Sequence, residues 1–431
     1  MADKIRRAWI GRCYVPPVGK AFRGSVGECP IIATLSLPVL IGAGGLATDT
    51  IQWTLWQKEM QRQADSAALT GAYALAQGAD AVSNASSEIG RHDYVPFSAT
   101  PVIENAPTSG SYAGNVNAVR VVLKTSQKLP FSSLFLASAP VLTAEATAAV
   151  INNGNYCVIS FEKTATAGVT MQGNATVSMG CGIATNSTAS NAVVAGGSSS
   201  IYATPVSAVG GLSSSSNYAS GTVLLPHSIV QQDPFANLPT PDVPPGCGAK
   251  LTVAPNATAT VSNPSGVACY RGMDIKGTVS FAPGVYVIDG NALSFGSQAV
   301  VSGTGVTFIL TSNNATSNPS SIATLDTNGG ANVQLTAPTS GTYAGVLIYQ
   351  DRRALDSGTN TINGNASSII QGAIYMPSQA VSFSGDSGMN TQCVQIAVRR
   401  VTFIGSTNIV NQCPSGSGSS SFTGTRVQLV G

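Results

Sequence analysis

"IKGTVSFAPGVYVIDGNALSFGSQAVVSGTGVTFIL", residues 275–310, is a succession of short alternations of apolar and polar residues. Gly, Pro and Asn separate one alternation from the next. A period of two is typical of β-strands, because successive side chains point to opposite faces of a sheet. The stretch therefore predicts several short strands joined by tight turns.

The same pattern continues through most of the chain after Val150. It recurs in VTMQGNATVSM at 169–179, in GVLIYQ at 345–350 and in VTFIGSTNIV at 401–410. Comparable runs are often about 20 residues apart, as in a fold built from stacked coils that bury one continuous core. We therefore predict a mainly β chain in which residues 151–431 form a right-handed parallel β-helix, with a β-sandwich or jelly roll as the alternative.

One region of this segment is richer in Ser, Gly and Pro. Residues 186–250 predict a long loop excursion from the regular strands. Within it, DPFANLPTPDVPPGC at 233–247 predicts a stiff, extended crossing, because residues before proline are restricted to extended conformations.

Composition separates the chain from ordinary cytosolic enzymes and from disordered proteins. Only 9% of its residues are charged, yet 43% are hydrophobic, which is enough apolar surface for a core. The net charge of +2 is divided unevenly: residues 1–28 carry +4 and the remainder carries −2. The two regions are therefore expected to face different surroundings, and the slightly acidic remainder argues against nucleic acid as a partner.

The eight cysteines indicate an oxidising compartment. Cys13 and Cys29 lie near the N-terminus, and the other six are Cys157, Cys181, Cys247, Cys269, Cys393 and Cys413. No pair has CxxC spacing, and with only two histidines a zinc site would lack ligands. Disulfides are thus favoured over a metal site. Six cysteines allow 15 connectivities, of which nearest-neighbour pairing is preferred.

An uncharged apolar run extends from Pro30 to Ala47. As a helix its 18 residues would span about 27 Å, close to the hydrocarbon thickness of a bilayer. Six basic residues precede it, which predicts a cytoplasmic N-terminus and an exported remainder. A buried core helix and a cleaved signal peptide are the alternatives.

The sequence after this run favours a permanent anchor. Apolar and small residues recur at spacings of three and four, which is one face of a helix. They are Trp53, Trp56, Met60, Ala64, Ala67, Gly71 and Ala74. The two tryptophans are placed where interfacial aromatic anchors occur. A signal peptide has no need of such an extension.

Three stretches resemble TadE/TadG-like proteins of the Tad (tight adherence, Flp pilus) assembly system. They are GSVGECPIIATLSLPVLIGAGGLATD at 24–49, QRQADSAALTGAYALA at 61–76 and VRVVLKTSQKLPFSSLFLASAPVLTAEATAAV at 119–150. The phrases GVYVIDG, LTAPTSGTYAGVLIYQDRR and IQGAIYMP are similar to a β-helical module of tad-related proteins. The match covers residues 20–150 well.

The resemblance implies a domain plan and a function. Residues 1–28 would be a cytoplasmic leader, 29–80 a transmembrane and stem helix, and 81–150 a small α+β stalk. Asp49, Trp53, Trp56, Asp65 and Gly71 would anchor and pack the helix, and Gly24 would be the processing site. The chain would be a non-enzymatic, single-pass protein of the bacterial inner membrane with its C-terminal domain in the periplasm or at the cell surface. Its partners would be the membrane, pilin-like or pilus-assembly proteins, and surface carbohydrate.

Enzymatic motifs are weak in this sequence. YQDRR, residues 349–353, is where a polysaccharide-active β-helical enzyme would place acidic and basic groups, but a surface turn with a local ion pair is favoured. His92 and His227 have no GxSxG nearby, and no phosphate-binding loop occurs. We therefore expect no catalytic residues, metal or cofactor. The alternative function is an exported β-helical enzyme or adhesin acting on glycans.

Overall fold

The structure is a computed structural model that describes residues 28–92, 95–364, 368–385, 393–405, 408–410 and 421–431. The leader, with Gly24 and Cys13, lies outside the described residues, as does Cys413. The chain is mainly β, as predicted, with two α-helices near its start.

The helical part begins with one long helix. α1 spans Glu28–Ala76, includes Pro38 and covers the predicted stem. α2, Ala81–Ile89, begins where the Asp80 side chain accepts a hydrogen bond from the Ser83 N–H at 2.6 Å. Such an N-cap satisfies a backbone donor that the helix itself cannot pair. Within the described residues, no helix combines the length and the hydropathy that a membrane span requires.

Strands make up the rest of the regular structure. The first three are β1 (Val102–Asn105), β2 (Ala118–Thr125) and β3 (Leu142–Ser160). The next group is β4 (Val169–Gly173), β5 (Thr176–Ser178), β6 (Gly182–Thr185), β7 (Val193–Ala195), β8 (Ser200–Tyr202), β9 (Val206–Ala208) and β10 (Leu224–Leu225). β1 pairs with β2 in antiparallel fashion.

The longest group of strands follows residue 250. It comprises β11 (Leu251–Val253), β12 (Thr258–Val261), β13 (Val267–Tyr270), β14 (Met273–Ile275), β15 (Thr278–Phe281), β16 (Gly284–Asp289), β17 (Ala292–Phe295), β18 (Val300–Thr304), β19 (Val306–Thr311), β20 (Thr324–Thr327), β21 (Asn332–Thr336), β22 (Val346–Gln350), β23 (Thr359–Gly364), β24 (Ile369–Gly385) and β25 (Cys393–Gly405). Two strands end the chain, β26 (Asn408–Val410) and β27 (Phe422–Leu429). β27 lies antiparallel to β3.

Parallel pairing of each strand with the third strand after it organises this group. β11 pairs with β14, β12 with β15 and β13 with β16, and the pattern repeats as far as the pairing of β21 with β24. Three successive strands therefore form one rung, and the rungs build three parallel stacks. Met273 lies 22 residues after its partner Leu251, and Leu293 lies 20 residues after Met273, in agreement with the spacing seen in the sequence.

The order of the rungs in space differs from their order in the chain. β25 pairs in parallel with β3 and β4, so the early rungs continue the stack beyond its C-terminal strands. β6 and β7 add to β3 and β4, and β9 and β10 complete this end. Residues 226–250, which we call the strap, connect β10 at this end to β11 at the other.

A continuous apolar core fills the interior of the stacks. Aromatic side chains from neighbouring rungs touch there: the ring centroids of Phe281 and Phe308 are 5.2 Å apart, and those of Phe383 and Phe403 are 5.5 Å apart. Inward residues such as Val279, Val301 and Ile396 are fully buried. The alternation in the sequence thus marks the core face of each strand.

The predicted excursion at 186–250 contains regular structure in its first part. β7 to β10 lie between Val193 and Leu225. These strands have only two or three residues each, so their alternation is too short to stand out in the sequence. The irregular part is the strap.

The chain divides into two compact units. The first, the stem unit, comprises the chain as far as Gln61, Tyr94–Thr100 and Leu123–Ala144. The second, the strand unit, comprises Arg62–Asp93, Pro101–Val122 and Glu145–Gly431. Each is described by itself below.

Candidate functional site

The helix face predicted from the sequence is buried along most of its length. In the stem unit Met60 is fully buried, and Trp53 and Trp56 are half-buried. In the strand unit Ala64, Ala67, Gly71 and Ala74 are buried. This face is thus buried within the chain itself, and Asp65 lies half-buried beside it, whereas packing against other pilin-like helices stays a prediction.

Gly71 lies where the strand unit's part of α1 is packed most closely. A Cβ at this position would lie 2.9 Å from Val119 Cγ1 and 3.2 Å from the carbonyl oxygen of Ala81. Gln63 Nε2 donates hydrogen bonds to the carbonyl oxygens of Ile89 and His92, at 2.9 and 2.8 Å. At position 71, only glycine fits between Val119 and Ala81 without strain.

Asp49 holds a turn against α1 within the stem unit. Its carboxylate Oδ2 accepts a hydrogen bond from the backbone N–H of Ser132 at 2.6 Å, and both residues are buried. One turn of helix earlier, the Phe131 ring lies so close to Gly45 that a Cβ there would overlap it. The acidic residue just beyond the predicted anchor thus packs through a bond to a backbone N–H, a partner that the sequence alone did not identify.

Between Leu37 and Leu55, α1 exposes large apolar side chains instead of burying them. Leu37, Val39, Leu40, Ile41, Leu46, Ile51 and Leu55 are between 38% and 69% exposed. Single exposed apolar residues are common on proteins, but a contiguous apolar surface marks contact with another protein or with a membrane.

Two disulfides link neighbouring segments of the strand unit, one between rungs and one between the strap and β13. Cys157 is bonded to Cys181 with 5.6 Å between the Cα atoms, and Cys247 to Cys269 with 4.7 Å. Nearest-neighbour pairing is therefore confirmed for these two pairs. Cys393 is also disulfide-bonded, and Cys413 lies outside the described residues.

We expect loss of the Cys157–Cys181 bond to destabilise the strand unit. A Cys157→Ser/Cys181→Ser variant should lose about 3 kcal/mol of unfolding free energy, because the bond closes a loop of 24 residues. Urea unfolding of the full chain in detergent measures the loss. Reduction of the wild type, which also breaks the Cys247–Cys269 bond, should produce a larger loss, and an unchanged midpoint in both would contradict the assignment.

The turn at 349–353 differs from the surface turn predicted for it. Its ion pair is present, with Arg353 Nη2 2.6 Å from Asp351 Oδ2, but Asp351 and Gln350 are fully buried. Asp351 also accepts a hydrogen bond from Thr311 Oγ1 at 2.7 Å. The expectation of an exposed turn was wrong because the strap lies over this position.

Side chains of this turn bind the strap through its backbone. Arg352 donates to the carbonyl oxygens of Phe235 and Leu238, and Arg353 donates to that of Pro241. Tyr349 Oη donates to the carbonyl oxygen of Pro239 at 3.1 Å. We call Tyr349, Arg352 and Arg353 the clamp. They supply donors to a proline-rich segment that has few of its own.

A groove of about 600 Å³ lies between the strap, the segment that follows β3, and Pro377 and Ser378 within β24. Asp233 accepts a hydrogen bond from Tyr375 Oη at 2.6 Å, and Tyr375 Oη in turn accepts one from Arg352 Nε at 2.7 Å. Burial, followed by the hydrogen bond to Asp233, raises the pKa of Tyr375, which therefore stays protonated as a donor.

Glu162 is the fully buried acid of this groove. Arg399 Nε lies 3.0 Å from its Oε2, Arg400 also pairs with that oxygen, and Thr164 Oγ1 donates to Oε1 at 2.8 Å. Burial raises the pKa of Glu162, but these hydrogen bonds together lower it to about 2. Sequence reasoning missed this group, although adjacent arginines in a strand that is otherwise apolar were a signal that an acidic partner lies nearby.

The lowered pKa predicts loss of stability in acid. The folded state favours ionised Glu162, so its contribution is complete above the ordinary pKa of 4.5 and disappears as the pH falls towards about 2. Unfolding midpoints measured across this range should show the decline. Glu162→Gln should be less stable than wild type at pH 7, and its unfolding midpoint should change less with pH. Lys163→Ala, a change at an exposed neighbour, should behave as wild type. An equally steep decline in Glu162→Gln would contradict this origin.

The other acidic and basic candidates are dispersed. His227 is exposed, and His92 lies 3.4 Å from Glu88. Asp289 accepts a hydrogen bond from the Asn313 N–H and Asp326 accepts one from Thr361, whereas Asp386 lies outside the described residues. In the part of the chain that the structure describes, no three His, Cys, Asp or Glu residues are placed to hold a metal ion.

Comparison with known proteins adds no relative. No protein family matches the chain, and no curated protein or solved structure gives a significant match. Function must therefore be argued from the residues described above.

Proposed function

We propose that the chain is a non-enzymatic, membrane-anchored component of Tad (Flp) pilus assembly or of surface attachment. In this proposal residues 1–28 stay in the cytoplasm, the helix crosses the bacterial inner membrane once, and the strand unit is exported. The three parallel stacks would wind as a right-handed β-helix that presents extended side surfaces to partners.

The exposed apolar surface of α1 is the observation that supports this proposal most strongly. Most of this surface belongs to the run that carries no charge from Pro30 to Ala47 and that follows six basic residues. Moving a large apolar side chain of this surface from water to a fully buried position would gain up to about 1.5–3 kcal/mol. Lipid or a neighbouring pilin-like helix would provide that burial.

Two further features fit the proposal, one for export of the strand unit and one for its non-enzymatic role. Its bonded cysteines are typical of oxidising compartments such as the bacterial periplasm. The clamp uses Asp351, the acid that an enzyme hypothesis would begin with, to hold Arg353, and this buried carboxylate is fully occupied by its hydrogen bonds. Its described contacts therefore suit a structural role better than a catalytic one.

Surface carbohydrate remains a proposed partner, and the groove is where it would bind. Lys163 and Gln232 are exposed there and make no hydrogen bond through their side chains among the described residues, and Phe161 and Val230 supply apolar surface. Lys163→Ala/Gln232→Ala should reduce attachment of cells to a glycan-coated surface without reducing the amount of protein in the membrane. Wild-type attachment in this variant would remove the groove from the proposal.

Membrane extraction and piliation together test the main proposal. In its native cell the protein should remain with the membrane in alkaline carbonate, and Trp53→Asp should reduce piliation at least tenfold. Lys58→Asp, which places the same charge at an exposed polar position of the same helix, is the matched control and should leave piliation at the wild-type level. Quantitative extraction by carbonate would refute the anchor, and normal piliation in Trp53→Asp would refute the role in assembly.

A further inference from the structure

A second apolar surface of the stem unit lies outside α1. The segment at 129–144 carries no charged residue, and a 3-10 turn at Ser132–Leu134 forms its tip. Leu134, Phe135 and Leu136 are 76%, 66% and 45% exposed. Three consecutive large apolar side chains at this exposure are unusual on a surface that faces only water.

The position of this tip along α1 is fixed. Asp49 accepts the Ser132 N–H, and the Phe131 ring packs on Gly45, so the tip lies beside the end of the uncharged run at Ala47. This is where the helix would leave the hydrocarbon core in the proposed topology.

The backbone hydrogen bonds within the tip also suit it to a membrane interface. Phe135 N and Leu136 N donate to the Ser132 carbonyl oxygen at 3.0 and 2.8 Å, and Leu134 N donates to that of Phe131. Ser133 Oγ donates to the carbonyl oxygen of Pro130. Entry into an apolar layer therefore leaves few backbone groups unsatisfied.

Two lysines precede the tip. Lys124 and Lys128 are exposed, and neither makes an ion pair within the described part of the chain. Basic residues next to exposed apolar ones are the combination that binds anionic lipid surfaces, because charge attraction and burial act together. This charge pattern favours lipid over an apolar protein partner.

We propose that the turn at 129–136 is a second membrane contact, which inserts Leu134, Phe135 and Leu136 into the interface of an anionic bilayer beside the helix anchor. This inference rests on the proposed membrane anchoring and adds a lipid-binding site to it. Asp49 is then a positioning residue that holds the turn at the depth of the interface.

Photo-crosslinking in proteoliposomes tests this inference on the full chain. A photoreactive phenylalanine analogue replaces Phe135 in one variant and Tyr202, an exposed aromatic residue of the strand unit, in another. We expect the probe at 135 to form at least tenfold more lipid adduct than the probe at 202. Phosphatidylcholine vesicles containing phosphatidylglycerol should give at least threefold more adduct than those without it, and Lys124→Gln/Lys128→Gln should abolish that difference.

The outcomes separate this inference from the proposal on which it rests. Equal lipid adducts at 135 and 202 in protein that floats with the vesicles would overturn the inference and leave the anchor intact. Protein that does not float with vesicles would refute the anchor itself. In native membranes, an adduct at 135 that is mainly to another protein would also overturn lipid as the occupant. Asp49→Asn should lower the adduct at 135 while the protein still floats.

Discussion

Replacing Gly71 with aspartate is expected to destabilise the strand unit by about 4 kcal/mol, because it buries a charge without a partner in a closely packed helix contact. The new side chain would meet Val119 and the Ala81 carbonyl oxygen, neither of which can solvate a carboxylate. Urea unfolding of the full chain in detergent, monitored by circular dichroism, measures the change in unfolding free energy.

Two further variants separate crowding from charge at this position. Gly71→Ala adds only a methyl group and should cost about 1–2 kcal/mol through overpacking. Val82→Asp places the same charge on an exposed position in the first turn of α2, where a helix tolerates an acidic residue, and should change stability by less than about 0.5 kcal/mol. A Gly71→Asp protein as stable as Val82→Asp would show that α1 is not packed there.

Replacing Asp351 with alanine is expected to destabilise the strand unit by about 3 kcal/mol. The carboxylate is fully buried and accepts hydrogen bonds from Thr311 and Arg353, so its removal leaves a buried hydroxyl and a guanidinium without their acceptor. Arg353 is then no longer held in place to bind the Pro241 carbonyl oxygen. The strap should become accessible to proteases before the stacks unfold.

Limited proteolysis with mass spectrometry identifies the site of cutting in Asp351→Ala. The matched control is Asp242→Ala, which removes an exposed carboxylate near the same arginine and should leave both stability and the cutting pattern unchanged. First cleavage outside 226–250 in Asp351→Ala, or wild-type resistance, would contradict the role of the clamp.

Local sequence patterns predicted the elements that depend on local spacing. The face from Met60 to Ala74 repeats every three or four residues, so burial of that helix face followed directly from the sequence. Alternation in stretches such as 278–281 and 292–295 marked strands whose inward side chains are the core. The cysteine spacings of 24 and 22 residues match one rung, which is why nearest neighbours pair.

Contacts between distant parts of the chain were not predictable in this way. Pairing of Ile396 with Val158 places the early rungs after the late ones, and no local pattern encodes a partner more than 230 residues away. Burial of Asp351 depends on the strap, and the ion-pair partners of Glu162 are Arg399 and Arg400, more than 230 residues away in the sequence. The strap runs along the stack because it connects β10 at one end to β11 at the other, and the clamp side chains bind it there.

The bond between Asp49 and Ser132 was also hidden from sequence reasoning. The resemblance of residues 24–49 drew attention to Asp49 as an acidic residue after the apolar run. The partner of Asp49 is a backbone N–H in another part of the chain. Backbone donors have no sequence signature. The exposed Leu134, Phe135 and Leu136 likewise acquire meaning only when their position beside α1 is known.

Protease treatment of intact spheroplasts from the native cell tests the central claim, that the strand unit lies outside the cytoplasm on a helix that stays in the membrane. We predict that protease added outside removes epitopes of the strand unit and leaves a short membrane-bound fragment containing the N-terminus. A full-length chain that resists digestion until the spheroplasts are lysed, and is then found among the soluble proteins, would contradict the account.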